Sequence, residues 1–324
     1  MLVTHGRHGG ESRSLNAHAK MPSGRLALTV GNFDGVHRGH RAMLDRLKGK
    51  AAELGVNSCV LTFEPHPREF FAPGSAPARL TRLAAKLAVL RDAGVDRVHV
   101  AWFDAKFAGQ APEEFVQRVL VDKLRCAWLL VGRDFRYGSR RGGDFAQLEA
   151  SALKHGFELE AMPEVRHEAK RISSSAVRDA LRQGDLEEAA TLLGRTYSIA
   201  GRVVHGDKLG RELGYATANI RLPHKPPLTG IFVVETLGVP GAPNTPWPSV
   251  ASIGVRPTVK EDAVPLLEVH LFGFDGDLYG RRLEVKLLHK LRDEEKFPDI
   301  ETLKNAMDRD AADARKFFAA KTNG

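Results

Sequence analysis

The chain has 324 residues, of which 43% are hydrophobic and 27% charged, and its formal net charge is +8. This composition is typical of a globular protein and excludes a collagen-like, coiled-coil or wholly disordered chain, and the length predicts two domains. No run approaches the ~20 consecutive apolar residues of a membrane span, and the N-terminus lacks the apolar stretch of a signal peptide. We therefore expect a cytoplasmic protein with no membrane partner.

The positive charge favours anionic partners but does not choose among them. Lysine and arginine are scattered along the chain, and no repeat of aromatic and basic residues is typical of a nucleic-acid reader. We expect small phosphorylated substrates and no nucleic acid, and the sequence indicates no oligomeric state. The only cysteines, Cys59 and Cys126, lie in apolar runs and are expected to be buried and reduced.

Residues 1–22 are rich in Gly, Ser, His and Arg without periodicity, which predicts a disordered, dispensable leader. From Leu26 short apolar runs alternate with helical patterns: LALTV, HRAMLDRLKGKAAELG, SCVLTF, LTRLAAKLAVLRDAG, VDRVHVAWF, APEEFVQRVLVDKL, CAWLLVG and DFAQLEASALKHG. Such alternation predicts a doubly wound parallel sheet with helices on both faces, which we assign to residues 23–190.

The segment SSSAVRDALRQGDLEEAATLLG predicts one or two short helices that close at Gly194, and the pattern changes after them. The strand-like runs YSIAGRVVHG, ATANIRL, GIFVVETLG, SVASIGV, LLEVHLFGF and RRLEVKLLHKL follow without an intervening helix. They predict a small antiparallel sheet or β-barrel over residues 191–324. One amphipathic helix after Pro298 is expected to pack against it.

In the first half, LALTVGNFDGVHRGHRAML places a strand, a Gly-containing turn and a helix start in that order. His37 and His40 are three residues apart, so at helical spacing they share one face near the unpaired N–H groups of the helix N-terminus. Phosphates favour such a place, and two imidazoles add hydrogen-bond donors. By itself an HxxH pair is more often solvated or a metal pair.

The whole string resembles the HxGH motif of the nucleotidyltransferase superfamily, and GNFDGVHRGH is similar to the FMN adenylyltransferase module of bacterial bifunctional riboflavin kinase/FAD synthetases. TFEPHP (62–67), VGRDFRYG (131–138) and RISSSAVR (171–178) follow in the family's order. The resemblance implies that His37 and His40 contact the phosphates of ATP and support the transition state. The residues that it places around the nucleotide and metal are Gly31, Phe33 and Asp34.

The same resemblance implies that adenosine is held by Gly132, Asp134, Phe135 and Arg136. It further implies that the phosphates are closed in by Ser173, Ser174 and the catalytic Arg178. Physically, a serine hydroxyl at the start of a helix and a guanidinium one turn later can converge on an anion, although an ordinary N-cap followed by a surface arginine is the commoner case. The family usually has Thr where this chain has Ser175, which keeps the hydroxyl.

In the second half, HGDKLGRELG spaces Gly206, Gly210 and Gly214 around Lys208 and Arg211. Such a loop can bring backbone N–H groups to a polyphosphate, although basic Gly-rich loops also occur at hairpins. Thr217 and Asn219 are two apart in a strand-like run, so they share a face, and neutral oxygen ligands beside a nucleotide suit Mg²⁺. Glu268 and His270 share the polar face of another strand. Solvated strand faces are the alternative.

HGDKLGRELGYATANI, ASIGVRPT, LEVHLFGFDGDLYG and LRDEEKF together resemble the riboflavin kinase module of the same family. The resemblance implies that Thr217 and Asn219 bind Mg²⁺ and that Glu268 is the general base. The groups expected on ATP phosphates are Gly206, Lys208, Gly210 and Arg211, and those near the flavin are Arg292 and Phe297. Ala216 replaces the family's usual proline, which loosens the backbone before Thr217.

The sequence thus predicts a bifunctional enzyme whose substrates are riboflavin, FMN and ATP, with Mg²⁺ as the metal and FMN and FAD as flavin products. The alternative is a single-activity FMN adenylyltransferase with a non-catalytic flavin-binding C-terminal domain. The presence of Thr217, Asn219 and Glu268 argues against that alternative. A regulatory flavin-binding or nucleic-acid-binding protein without catalysis is a third interpretation, which the presence of His37 and His40 disfavours.

Overall fold

The computed structural model describes residues 1–6, 13–14, 24–168, 170–206, 213–255 and 265–322. The chain divides into two compact units, which are Met1–Pro77 with Thr81–Ser173 and Ala78–Leu80 with Ser174–Gly324. This division comes earlier than the expected change at residues 190 and 191. Two short helices after Ser173 cluster with the second unit because they pack on each other and because the second of them packs on the last strand of that unit.

The first unit is built on a seven-stranded sheet. Its strands are β1 (Leu2–Gly6), β2 (Arg13–Ser14), β3 (Leu26–Val30), β4 (Asn57–Glu64), β5 (Arg97–Trp102), β6 (Cys126–Gly132) and β7 (Glu158–Met162). Its helices are α1 (Arg38–Leu54), α2 (Pro67–Phe71), α3 (Leu83–Asp92), α4 (Ala105–Ala108), α5 (Pro112–Phe115) with a π-helical continuation at Val116–Lys123, and α6 (Phe145–His155). Short 3-10 turns lie at Pro73–Ser75 and Ser139–Arg141, and a small hairpin joins β8 (Arg166–His167) to β9 (Lys170–Arg171).

The strand order is β2-β1-β5-β4-β3-β6-β7, and every pair except β1 with β2 is parallel. Helices α1 and α3 bury Leu44, Leu47 and Leu90 on one face. Helices α5 and α6 bury Phe115 and Leu148 on the other face. The predicted doubly wound sheet is confirmed. Its order reverses between β3 and β6, and in such sheets ligands bind beyond the carboxyl ends of the strands at that reversal.

The prediction that residues 1–22 are a disordered leader is wrong for its first residues. Leu2–Gly6 form a strand that pairs in parallel with β5, and Val3 and Thr4 are buried there. Arg13–Ser14 pair with it antiparallel. Five residues between a chain end and a Gly/Ser-rich stretch are too short to show a period, so the strand was not visible in the pattern.

The second unit opens with α7 (Ser174–Gln183) and α8 (Leu186–Leu193), which Gly194 closes in the left-handed region. Six antiparallel strands then close a barrel in the order β10-β11-β14-β13-β12-β15. They are β10 (Ser198–Val204), β11 (Ala218–Arg221), β12 (Gly230–Leu237), β13 (Trp247–Val255), β14 (Pro265–Leu271) and β15 (Arg282–Arg292). The last helix, α9 (Ile300–Thr322), packs Ala314 against Val233 and Val250 of the barrel. The predicted barrel and closing helix are confirmed.

Two further predictions concern the thiols and the membrane. Cys59 and Cys126 are free and buried, and burial raises the pKa of the Cys59 thiol to about 12 and that of Cys126 further still. Both thiols are therefore inert at neutral pH. None of the helices in the described part of the chain combines the length and apolar character needed to cross a bilayer.

Candidate active sites

The turn that follows β3 carries the histidine motif in an uncommon backbone conformation. Phe33, Gly35 and Val36 all have positive φ, at 48°, 84° and 41°. A positive φ at a bulky or β-branched residue costs of order 1–3 kcal/mol, so the surroundings must impose it. Phe33 and Val36 are completely buried in the core beneath α1, which holds the turn from below.

A segment before and within α3 holds the same turn from the side. The Thr81 backbone N–H donates to Asp34 Oδ1 at 3.0 Å, and the Gly35 N–H donates to Thr81 Oγ1 at 3.1 Å. The carbonyl of Asn32 accepts hydrogen bonds from Lys86 Nζ at 2.6 Å and from Thr62 Oγ1 at 3.2 Å. Asp34 is buried and bound to Thr81, so in this structure its carboxylate shapes the turn.

His37 is the N-cap of α1, and its Nδ1 accepts the His40 backbone N–H at 3.2 Å. A neutral His37 therefore carries its proton on Nε2, where it can donate to an anion. The two imidazoles stack with centroids 3.7 Å apart. A Cβ on Gly39 would lie 3.1 Å from His37 Nδ1 and 3.4 Å from the Ile172 carbonyl, so a larger residue would crowd the His37 ring.

The His40 ring is uncharged and its hydrogen bonding is only partly satisfied. Burial, with His37 and Lys86 nearby, lowers the pKa of His40 well below its usual range, so His40 is neutral at pH 7. His40 Nδ1 is buried and has no hydrogen-bond partner among the residues described. Because buried polar atoms are rarely left unpaired in a complete site, this geometry fits a bound ligand.

The segment expected to hold adenosine lies beyond β6, on the other side of the strand-order reversal. Gly132 ends β6, and Asp134 pairs with Arg171 at 3.0 Å. Phe135 stacks on Tyr137 with centroids 5.6 Å apart, and exposed Arg136 lies 3.9 Å from Asp144. The structure thus puts Gly31–His40 and Gly132–Arg136 after adjacent parallel strands of one sheet.

Ser173 is the last residue of the first unit, and Ser174 begins α7 in the second. Arg178 lies within α7, and its Nε donates to the Ala78 carbonyl at 2.6 Å. Both ends of that hydrogen bond belong to the second unit. The structure therefore gives the Arg178 guanidinium a contact inside the chain, and its role toward phosphates stays a prediction.

In the barrel, Asn219 is buried and its Nδ2 donates to the Thr217 carbonyl at 3.2 Å. Its Oδ1 is buried without a partner in the described parts of the chain, which fits a cation ligand. A Cβ on Gly206 would lie 2.6–2.8 Å from the Asn219 amide, so only glycine permits this approach. The predictions for Lys208, Gly210 and Arg211 concern residues outside the described part of the chain, and residues 256–258 of ASIGVRPT also lie outside it.

Two adjoining cavities share Thr217. One, of about 260 Å³, contains Glu268, Arg292 and Phe297, together with apolar side chains such as Ile231 and Met307. The other, of about 380 Å³, contains Gly206, Asn219 and the turn after β14 with Phe274, Asp275, Asp277 and Tyr279. The predicted Thr217, Asn219 and Glu268 therefore lie together where an apolar cavity adjoins a polar one.

Arg292 has its partners within the chain. Its Nε and Nη2 bind Asp310 of α9 at 2.9 and 2.8 Å, and its Nη1 donates to the Asp293 carbonyl at 3.1 Å. Its guanidinium carbon lies 5.6 Å from the Phe297 ring centroid, a cation–π distance. Arg292 therefore fixes Phe297 and α9 at the edge of the apolar cavity.

The segment that precedes β11 and contains Thr217 is anchored by residues that the sequence patterns did not single out. Tyr215 donates its hydroxyl to Asp308 of α9, and burial with that hydrogen bond raises the Tyr215 pKa to about 12. His270 Nδ1 bonds the Ala216 carbonyl at 3.0 Å. Asp275, Asp277 and Tyr279 were missed as well, although an Asp- and Gly-rich turn after a polar strand was a signal.

The donor set in the barrel fits Mg²⁺ bound with a nucleotide. Across the described residues, no group of three His, Cys, Asp or Glu side chains is arranged to hold a metal. Thr217 and Asn219 supply neutral oxygens, and Mg²⁺ ordinarily fills its remaining positions with water and phosphate oxygens. These residues therefore fit a metal that arrives with ATP.

Comparisons with known proteins match both halves of the chain. A family model for FAD synthetase matches residues 20–176, and one for riboflavin kinase matches residues 193–318. A bifunctional riboflavin kinase/FMN adenylyltransferase from Pseudomonas fluorescens is 50% identical over 292 residues, which cover 90% of this chain and 92% of the relative. A protein of the same name from Escherichia coli (strain K12) is 44% identical, with 94% and 97% covered.

A solved structure supports the fold over nearly the whole chain. A Streptococcus pneumoniae protein described as a macrolide-efflux protein is 27% identical, with a TM-score of 0.74, and the match covers 91% of this chain and 95% of that one. The description as an efflux protein applies to the Streptococcus pneumoniae protein, and what this chain shares with it is the backbone fold.

Proposed function

The chain belongs to the family of bifunctional riboflavin kinase/FMN adenylyltransferases, and we propose that its two units divide the two reactions between them. The barrel phosphorylates riboflavin to FMN with ATP. The doubly wound unit transfers the adenylyl group of ATP to FMN and releases pyrophosphate. The observation that carries the bifunctional proposal over a single activity is that Thr217, Asn219 and Glu268 line adjoining cavities in the barrel.

In the doubly wound unit, the FMN phosphate oxygen attacks the α-phosphorus of ATP, and the bond from that phosphorus to the pyrophosphate oxygen breaks. His37 donates from Nε2, and His40 offers the buried Nδ1 edge, toward the oxygens on which charge develops. The strained, buried turn keeps both rings in place before the substrate arrives. The Gly132–Arg136 segment, which lies on the other side of the reversal of strand order, binds the adenosine.

In the barrel, Glu268 accepts the proton of the riboflavin 5′-hydroxyl as that oxygen attacks the γ-phosphorus of ATP, and the bond from that phosphorus to the bridging oxygen breaks to release ADP. The apolar cavity with Phe297 takes the flavin ring, and the polar cavity with Asn219 takes the nucleotide. Mg²⁺ held by Thr217, Asn219 and phosphate oxygens would neutralise charge on the transferring phosphoryl group. Lys208, Gly210 and Arg211 are proposed to hold the phosphates from the loop after Gly206.

A cytoplasmic location is part of the proposal. Two buried reduced thiols suit a reducing compartment, and the substrates ATP and flavins are small anionic or neutral molecules of the cell interior. The net charge of +8 favours the phosphorylated substrates over a nucleic-acid partner, because lysine and arginine are spread along the chain.

The test is a product analysis with the purified full-length chain, Mg²⁺ and ATP, in which riboflavin and FMN are supplied separately and the flavins are separated by chromatography. The proposal expects FMN and FAD from riboflavin, and FAD from FMN. A single-activity adenylyltransferase would convert FMN but return riboflavin unchanged. A non-catalytic binder would return both flavins.

A further inference from the structure

Lys86 is a buried cation beneath the histidine turn. It lies in the first turn of α3 and is 4% exposed. Its Nζ donates to the Asn32 carbonyl at 2.6 Å and to Thr62 Oγ1 at 3.3 Å. Withdrawing an ammonium from water costs several kcal/mol unless hydrogen bonds or charges compensate, so this placement needs specific partners.

Those partners are the ends of two adjacent central strands. Thr62 belongs to β4, and Asn32 follows β3 by two residues. Thr62 Oγ1 itself donates to the Asn32 carbonyl at 3.2 Å, so the three groups form a closed set of hydrogen bonds. Asn32 directly precedes Phe33, the first residue of positive φ in the turn. The carbonyl is therefore fixed where the backbone departs from the strand.

We propose that Lys86 is a positioning residue for adenylyl transfer, which holds the Asn32 carbonyl and thereby fixes the turn that presents His37 and His40. The inference rests on the proposed function of the first unit. With its side chain buried, Lys86 acts through the turn and does not touch substrate. Its charge has a second effect, because it contributes to the lowered pKa of His40 and favours the neutral imidazole.

Thr81 completes the restraint at the other end of the turn, where it binds Asp34 and Gly35. Two anchors on one chain segment leave the turn little freedom to rotate the imidazoles. A displacement of about 1 Å in a catalytic group can cost ~10²-fold in rate, and that loss falls on the chemical step. Lys86 should therefore influence kcat for FAD formation more than KM.

The experiment compares full-length K86M, T62V, the double variant and the wild type. Methionine keeps the length of the side chain and removes its charge and donors, and T62V removes the second donor to Asn32 while Lys86 stays. R91M is the matched control, since Arg91 is an exposed cation on the same helix that pairs with Asp92. Riboflavin kinase activity of each preparation reports the integrity of the barrel, and circular dichroism with thermal unfolding reports whether the unit that carries the substitutions is folded.

K86M is expected to lower kcat for FMN adenylylation about 10–100-fold, with KM for ATP and FMN within about threefold and kinase activity unchanged. T62V should lower kcat by a smaller factor, and the double variant should lose less than the product of the two, because both act on one carbonyl. R91M should match the wild type.

The inference is overturned if folded K86M keeps kcat within twofold, or if its loss appears only in KM. It is also overturned if kinase and adenylyltransferase activities of soluble K86M fall in parallel. If K86M does not fold, T62V decides, and an unchanged kcat in folded T62V rejects the inference. A wild-type chain that makes no FAD from FMN would instead reject the proposed function.

Discussion

Asn219 and Glu268 are direct cross-strand partners in the antiparallel pair of β11 and β14. On the other side of β14, Glu268 pairs with Ser252 of β13. The register of the barrel strands, and not a flexible loop, therefore sets the distance between the proposed metal ligand and the proposed base. Because directly opposed Cβ atoms lie about 4.5–5.5 Å apart, the register keeps the carboxylate and the amide side by side, as the proposed reaction requires.

The first prediction removes the base without changing its size. E268Q should lower riboflavin phosphorylation ~10²–10⁴-fold, the usual contribution of a general base, while supplied FMN is still converted to FAD. E284Q is the matched control, since Glu284 of β15 binds Ser198 and lines neither cavity. Separate assays of the two activities measure this. Full kinase activity in folded E268Q would contradict the assignment.

The second prediction separates the two roles of His37, as the N-cap of α1 and as an anion donor. H37A should lose about 1 kcal/mol of stability with the cap and ~10²–10³-fold in FAD formation with the imidazole. H37N should recover the stability, because asparagine is a good N-cap, but should not recover the activity. Thermal unfolding and an FMN adenylylation assay distinguish them. Wild-type FAD formation in H37N would show that only the cap matters.

The third prediction concerns the N-terminal strand. A variant that begins at Gly24 loses β1, uncovers β5 and removes the burial of Val3, which alone is worth about 1.5–3 kcal/mol. We expect a lower unfolding midpoint and, because an uncovered apolar edge pairs with other chains, concentration-dependent aggregation. Full-length V3D is the matched variant, since a charge at this buried position disrupts the docking of β1 on β5 while the N-terminal segment is kept. Unchanged midpoints in both would mean that β1 adds nothing to the fold.

Much of this fold could be predicted because most of its strands and helices show a complete hydrophobic pattern in their own sequence. Each of the six barrel strands either alternates buried and exposed residues or buries both faces over four or more residues, and turn residues separate the strands. The alternation of strand and helix patterns predicted the doubly wound sheet. β1 was missed because it is short and its burial comes from β5, which is about 95 residues away in sequence. Its partner, not its own residues, makes it a strand.

The sites show the same limit. Helix spacing predicted that His37 and His40 share one face, and the resemblance of GNFDGVHRGH to the family predicted their role at the phosphates. Lys86 was missed, although it shares the buried face of the helical segment LTRLAAKLAVL with Leu90. A lysine on an otherwise apolar face was the signal. The bond of Thr81 to Asp34 joins residues 47 apart, and no local pattern encodes it. The sharing of Thr217 between two cavities likewise depends on how the barrel closes.

The last prediction concerns acid stability and starts from His99 of β5. His99 is 1% exposed, and its Nδ1 lies 2.8 Å from Thr4 Oγ1. Burial, then Lys123, Arg97 and His5, lower its pKa from 6.5 to about 3. In the unfolded chain the ring protonates near pH 6.5, so between these values the unfolded state binds more protons. The stability that neutral His99 contributes is present above pH 6.5 and is lost as the pH falls toward 3.

The size of the effect follows from the same values. Each pH unit within the window costs up to ~1.4 kcal/mol, so the free energy of unfolding should fall by about 3 kcal/mol between pH 6.5 and pH 4 through this group alone. H99L removes the titration, and the Thr4 hydroxyl can still bond the Val98 carbonyl. Urea unfolding followed by tryptophan fluorescence, to which buried Trp128 contributes, should give a flatter pH profile for H99L. H289L, at an exposed histidine of the barrel, should parallel the wild type, and an equally parallel H99L profile would show that His99 is not the acid-sensitive group.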